Sequence, residues 1–208
     1  MWRTSILFLL PSAFLLAGVA VPQDSVPLSG QDRLDMAAVP IAQDLADLAA
    51  AELAKLRMAA EQGDLDAQTK IGVMYYWGQG APLDWKEAQR WLRVASERGS
   101  RDAQAKLGAM YFLGQGSPKD LHEAVRWFRA SAEQGEPYAQ GCMGAMYATG
   151  EGVRQDLLEA YVWLVQAKAG GDDDADDPLQ KVKSHLSVEQ IQEGDRRAQE
   201  AIRMREAR

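Results

Sequence analysis

The apolar positions of the chain recur at helical spacing in pairs of short segments. In the first segment they follow the intervals i, i+4, i+7, i+8 and i+11, at Ala67, Ile71, Met74, Tyr75 and Gly78. This spacing places the five positions on one face of an α-helix. The second segment repeats the rhythm at Ala88, Trp91, Leu92 and Ala95. The pattern therefore predicts two short helices joined by a turn.

This pair of segments occurs three times, with an offset of 36 residues. Residues 71–84 are IGVMYYWGQGAPLD, residues 107–120 are LGAMYFLGQGSPKD, and residues 143–156 are MGAMYATGEGVRQD. A fixed period of about 20 to 50 residues is typical of solenoids, in which each unit packs on its neighbours. In such a stack we expect Tyr75 and Trp91 to fill the layer between units.

Capping and turn residues mark the ends of the predicted helices. Asp64 and Asp84 precede the two helices of the first unit, where a carboxylate can accept hydrogen bonds from unpaired backbone N–H groups. Gly78 and Gly80 bracket the connection, where positive φ angles would be costly for other residues. Each unit is therefore predicted to be a helical hairpin whose apolar faces only a neighbouring unit can cover.

The positions shared by the three copies form the phrase AQ-x3-G-x-MY-x2-G-x-G-x3-D-x3-A-x2-W-x3-A-x3-G. This phrase resembles the Sel1-like repeat, a relative of the tetratricopeptide repeat. The resemblance covers about residues 63–171 and predicts units at residues 63–98, 99–134 and 135–170. It implies an all-α fold, a right-handed α/α solenoid of helical hairpins.

The segments that flank the repeats are expected to cap the stack. Residues 44–62 have the pattern of an alanine-rich amphipathic helix, and residues 21–43 that of a flexible linker. Residues 171–208 combine an acidic turn with a C-terminal capping helix, at whose start Ser187 and Gln190 have the spacing of a capping box. Terminal units that differ from the internal ones keep a solenoid soluble.

Residues 1–20 have the composition of a secretory signal peptide. Arg3 precedes an apolar stretch at residues 6–16, and Gly18 and Ala20 supply small residues at the two positions that a signal peptidase reads. We therefore expect cleavage after Ala20 and export, with the periplasm as the favoured compartment. Secretion, or membrane anchoring through an uncleaved signal, is the alternative. No other membrane contact is expected.

Composition restricts the partners that the chain can have. The 208 residues carry a formal net charge of −7, and 47% of them are hydrophobic. An acidic surface repels phosphate backbones, so nucleic acid is not an expected partner. Cys142 is the only cysteine, so no internal disulfide can form. Stability must come from packing.

Catalytic and metal-binding patterns are incomplete in this chain. His122 begins HEAVR, where arginine replaces the second histidine of a zinc protease helix. The acidic run 172–177 resembles a calcium loop, but Asp177 replaces its glycine and Lys183 replaces its glutamate. Some exported Sel1-like proteins have been linked to β-lactams, yet no serine here has the lysine that a β-lactam acylase needs three positions later. We therefore expect a non-enzymatic protein with no catalytic residue, metal site or cofactor.

The outward face of the first helices is the candidate binding surface. In the tetratricopeptide arrays that the repeat resembles, the first helices line a concave groove that holds the partner. By that resemblance, the predicted binding residues are Tyr76, Trp77, Phe112, Leu113, Tyr138, Asp66 and Asp102. Aromatic clusters of this kind are typical hot spots of interfaces. The alternative is burial beneath the neighbouring hairpin, which applies first to Trp77 and Leu113 and to a lesser degree to Tyr76 and Phe112.

Together these patterns predict a periplasmic or secreted adaptor that binds a protein or peptide in the groove. A module that recognises glycan or cell-wall fragments is the alternative, because an aromatic-lined groove would also suit such a ligand. A hydrolase with an unrecognised site is a weaker hypothesis.

Overall fold

The computed structural model describes residues 50–207, and every regular element in this range is helical. These residues belong to one compact unit. The predicted signal peptide and linker lie outside the described residues. The elements are α1 (residues 50–61), α2 (Leu65–Trp77), α3 (Trp85–Glu97), α4 (Arg101–Leu113), α5 (Leu121–Glu133), α6 (Pro137–Thr149), α7 (Leu157–Ala169), a 3-10 turn (Asp173–Ala175), α8 (Asp176–Lys183) and α9 (Val188–Glu206).

Helices α2 to α7 form three consecutive hairpins, α2/α3, α4/α5 and α6/α7. The hairpins stack through contacts of α3 with α4 and of α5 with α6. Tyr75, Trp91 and Trp127 are buried in the resulting core, as expected for residues between units. The predicted all-α stack of hairpins is therefore confirmed.

A repeated glycine in each first helix allows close packing inside the hairpin. A Cβ atom at Gly72 would lie only 2.7 Å from Cγ of Leu92 on α3. An added Cβ atom would lie 2.8 Å from Cδ1 of Phe128 at position 108, and 2.5 Å from Cγ of Leu164 at position 144. Any side chain at these positions would push the two helices apart, so the glycines set the helix separation.

The paired glycines of the turns have two separate roles. Gly78 ends α2 with a φ of 66°, in the left-handed region that glycine adopts without a steric penalty. In the second unit the turn pair is Gly114 and Gly116. Gly116 also lies against the preceding hairpin, where an added Cβ would be 2.6 Å from the carbonyl oxygen of Trp85. The second glycine thus serves the contact between hairpins as well as the turn.

The predicted caps are present at both kinds of helix. The Asp64 carboxylate accepts a hydrogen bond from the Ala67 backbone N–H at 2.9 Å, and Asp84 caps α3 by accepting from Lys86 and Glu87. Each cap supplies an acceptor for backbone donors that have no partner inside the helix. Helix starts were therefore correctly predicted from local sequence.

A repeated arginine–tyrosine hydrogen bond connects successive hairpins. Arg129 on α5 donates to the hydroxyl of Tyr147 on α6 at 2.8 Å. Two further pairs repeat this contact, Arg57 with Tyr75 and Arg93 with Tyr111. Sequence reasoning missed this connection, although all six residues recur at the 36-residue offset.

The two ends of the stack are covered by helices that lie outside the three hairpins. Residues 50–61 of the predicted N-terminal cap are helical, and residues 44–49 of that prediction lie outside the described residues. At the other end α9 packs on α7, where the Tyr161 hydroxyl donates to Asp195 at 2.9 Å. The predicted capping box of Ser187 and Gln190 is present. Between residues 50 and 207, no helix is both long and apolar enough to cross a membrane.

Candidate functional site

The first helices of the three hairpins, together with α1, line a groove with a volume of about 650 Å³. We call it the first-helix groove. Its lining residues are Leu56, Thr69, Lys70, Val73, Met74, Asp102, Ala105, Lys106, Glu136 and Tyr138. Thr69 and Val73 are four residues apart on α2, and Ala105 repeats the Thr69 position on α4. The groove therefore follows one helical face through consecutive units.

Two of the predicted binding residues, Asp102 and Tyr138, line this groove. Asp66 is exposed in the first turn of α2, but it is not among the lining residues. Sequence reasoning missed the lysines. Lys70 and Lys106 occupy equivalent positions in the first two units, a recurrence that was visible in the sequence.

An exposed aromatic pair lies on either side of one of these lysines. Trp77 is 55% exposed and Tyr138 is 47% exposed. The Lys106 ammonium lies 5.7 Å from the ring centre of Trp77 and 5.6 Å from that of Tyr138. Both distances are within the range of a cation–π interaction. The alternative prediction that Trp77 packs beneath the neighbouring hairpin is therefore wrong. Trp77 is not itself among the lining residues, but its exposed ring lies beside the lining residue Lys106, and we call this position the rim of the groove.

The expectation that Tyr76 presents its ring to a partner is wrong. Tyr76 is only 8% exposed and belongs to the hydrophobic core. Its ring packs nearly perpendicular to that of Trp77, with 4.8 Å between ring centres and 84° between ring planes. Burial also raises the pKa of the Tyr76 hydroxyl. Successive residues of a helix differ by about 100° in direction, so Tyr76 points inward when Trp77 points outward.

Phe112 and Leu113 lie outside the first-helix groove. Phe112 is half-buried against the core, and the Lys119 ammonium lies 4.8 Å from its ring centre. Leu113 is 58% exposed at the end of α4, so it is not covered by the neighbouring hairpin. Neither residue is among the lining residues of the groove. The predicted aromatic cluster is thus divided, and only Trp77 and Tyr138 lie close to the same charged group.

A smaller cavity of about 210 Å³ continues on the far side of Tyr138, which lines both spaces. Cys142, Asp172 and Asp174 also line this cavity. Burial raises the pKa of the Cys142 thiol to about 12, although a hydrogen bond with Tyr138 opposes the shift. Burial likewise raises the pKa of the Asp172 carboxyl. The thiol is protonated at neutral pH and is therefore a weak nucleophile.

The histidines do not combine into a metal-binding or catalytic group within the described residues. His122 is exposed at the start of α5, where its backbone N–H donates to the Asp120 cap. The His185 ring is 2.8 Å from the carbonyl oxygen of Lys181. In residues 50–207, no group of three or more histidine, cysteine, aspartate or glutamate side chains could hold a metal ion.

Comparison with known proteins identifies the class. A family model described as Sel1 repeat matches residues 65–100, 101–136 and 137–172, which is more than half of the chain. This chain therefore belongs to the Sel1 repeat family. Proteins of this family generally act as scaffolds for protein–protein interaction and are typically non-catalytic. No curated protein matches the sequence.

Two solved structures share the fold. A protective antigen present in uropathogenic Escherichia coli strains, with an SLR fold, is 31% identical, with a TM-score of 0.67 over 73% of this chain. The matched region is only 32% of that antigen. A Sel1 repeat protein from Oxalobacter formigenes is 38% identical, with a TM-score of 0.57 over 62% of this chain and 98% of that one.

Proposed function

We propose that this protein is an exported, non-enzymatic adaptor that binds a protein or peptide in the first-helix groove. The proposed compartment is the periplasm, on the strength of the signal-like residues 1–20. The Sel1 family supports a role in protein–protein interaction.

The observation that carries this proposal is the arrangement around Lys106. Two large rings, Trp77 and Tyr138, are about half exposed, and one ammonium group lies within 6 Å of both. Tryptophan and tyrosine are enriched among the hot spots of protein interfaces. Val73 and Met74 extend the apolar surface along the same groove.

Site-specific photo-crosslinking tests this proposal directly. A benzophenone amino acid at position 77 would react with whatever lies on the groove rim in living cells, and mass spectrometry would identify the product. The matched control is the same change at position 85, because Trp85 is also exposed, at 41%, but lines a different cavity between the turns. We expect a protein or peptide adduct at position 77 and none at position 85.

The glycan-binding alternative makes a different prediction for the same experiment. Exposed tryptophan and tyrosine rings can also stack on sugar rings, so a glycan adduct at position 77 would favour that alternative. Adducts at position 85 alone, or equal adducts at both positions, would contradict a role for the first-helix groove.

A further inference from the structure

The positive charges of the first-helix groove lack carboxylate partners within the described residues. Lys70 and Lys106 both line the groove. In residues 50–207, neither ammonium lies within 4.0 Å of a carboxylate oxygen. The Lys106 ammonium instead faces the rings of Trp77 and Tyr138.

The two carboxylates of the same groove differ in their partners: Glu136 is hydrogen-bonded within the chain, and Asp102 is 69% exposed with only an adjacent arginine beside it. Glu136 accepts a hydrogen bond from the Ala139 backbone N–H at 2.6 Å, as the cap of α6. The Asp102 carboxylate lies 3.6 Å from Nε of Arg101. Although lysines and acids are equal in number in the lining, a partner therefore finds two ammonium groups that are available for new ion pairs.

Resting on the adaptor function above, we propose that the groove binds an acidic segment of a partner protein. Carboxylates of this segment pair with Lys70 and Lys106, and an apolar side chain beside them contacts Trp77 and Tyr138. Charge complementarity of this kind adds specificity and speeds association. It also counters the general repulsion between an acidic partner and a chain of net charge −7.

The surface beyond Tyr138 limits where the acidic stretch can lie. Asp172 and Asp174 line the adjoining cavity and would repel a carboxylate. The position equivalent to Lys70 and Lys106 in the third unit is Cys142, which brings no positive charge. The acidic stretch therefore lies over α2 and α4, and the segment leaves the groove past Tyr138 with neutral or basic residues.

Selection from a random peptide library displayed on phage tests this inference. The wild-type chain is the bait, and the most enriched peptides are synthesised and measured by calorimetry. We expect them to combine aspartate or glutamate with an aromatic or aliphatic residue. The double variant K70E/K106E should weaken their binding about fivefold or more, since exposed ion pairs contribute up to about 1 kcal/mol each. Affinity should also fall as salt is raised.

The matched control is K86E/K183E, which changes the net charge equally at two exposed lysines that do not line the groove. It should leave peptide affinity within about twofold, because salt screens the effect of charges that do not contact the peptide. When the selection is repeated with K70E/K106E as the bait, the enriched peptides should contain more lysine and arginine.

Two results would overturn the acidic specificity, and they can be separated from failure of the adaptor function. Neutral or basic peptides that lose affinity in Trp77→Ala would disprove the acidic preference while the groove remains a peptide site. Equal losses in K70E/K106E and K86E/K183E would disprove the role of these lysines. If no peptide is enriched and photo-crosslinking also yields no protein, both proposals fail.

Discussion

Tyr76 and Trp77 show how neighbouring residues of one helix take opposite roles in this protein. Tyr76 is buried in the core, and Trp77 lies at the rim of the groove with its ring nearly perpendicular to that of Tyr76. Tyr76 therefore contributes to folding and holds the indole in place. Binding is expected to depend on Trp77 directly and on Tyr76 only through the position of that ring.

The first prediction compares the two exposed tryptophans of the first hairpin. Trp77→Ala should lower the affinity for a groove-bound partner by about 2 to 4 kcal/mol, the range for truncated hot-spot aromatics. Trp85→Ala removes an exposed indole that lies outside the groove, and it should not lower this affinity. Calorimetry with a peptide selected on the wild-type chain gives both values. An equal loss in the two variants would remove Trp77 from the binding surface.

The second prediction concerns Cys142 and pH. Burial raises its pKa from 9.0 to about 12, so the folded state holds the thiol proton more tightly than the unfolded state does. The contribution of this group to stability is complete below about pH 9 and is lost as the pH rises toward about 12. At about pH 10, one unit above the unfolded-state pKa, the loss should be about 1.4 kcal/mol, measured by urea unfolding.

Cys142→Ala is the control for this pH dependence, because it removes the titrating thiol and should flatten the decline between about pH 8 and pH 10. Tyr161 and Tyr76, whose pKa values are raised without any contribution from the thiol, remain in both proteins and cancel in the difference. Tyr138 is hydrogen-bonded to Cys142, so the difference reports the coupled thiol–tyrosine pair. Identical alkaline slopes in the two proteins would show that the thiol is not desolvated.

At the scale of the elements, the hairpin is the unit of stability and depends on its neighbours. Trp127 illustrates this on α5 in the central unit, where it is buried and its indole N–H donates to Glu123 at 3.0 Å. Each hairpin contacts only the units beside it, so damage to the central hairpin also weakens the connection between the ends.

The third prediction is therefore a large destabilisation by Trp127→Ala. It should lower the free energy of unfolding by about 3 to 5 kcal/mol, the range for truncating a buried large aromatic residue. The exposed Trp85 again supplies the control, and Trp85→Ala should cost less than about 1 kcal/mol. Denaturant unfolding measures both, and a loss under about 1 kcal/mol for Trp127→Ala would place its indole outside the core.

At the scale of the whole molecule, the described residues form three hairpins with α1 at one end and α8 and α9 at the other. α1 covers the first hairpin and supplies Arg57 to Tyr75, in the same way that α3 and α5 contact the helices that follow them. α9 covers α7 at the other end. Of the exposed aromatic side chains of the stack, Trp77 and Tyr138 lie beside Lys106 of the groove, whereas Trp85 lines a different cavity.

The fourth prediction is that the mature protein begins at about Val21 and is released by osmotic shock without detergent. It follows from the signal-like composition of residues 1–20, which lie outside the described residues. Amino-terminal sequencing of the released protein tests it. Recovery of the chain only in the membrane fraction, with Met1 retained, would instead support anchoring through an uncleaved signal.

The repeat, the helices and their caps could be predicted from the sequence because their signals are local and periodic. Asp64, Asp84 and Gly78 act on backbone groups within a few residues, so their roles do not depend on distant parts of the chain. Repetition at 36 residues then strengthens each signal, because three copies obey the same local rules. The sequence by itself thus determined the fold class and most helix limits.

Only the tertiary structure decided which side chains form the candidate site. If α2 were rotated about its axis by one residue, Tyr76 and Trp77 would exchange environments. The actual orientation of α2 is set by its packing against α3 and α4. The meeting of Trp77, Lys106 and Tyr138 joins three helices across more than 60 positions of the chain. Such a contact has no local signal, because it arises from the way in which successive hairpins stack.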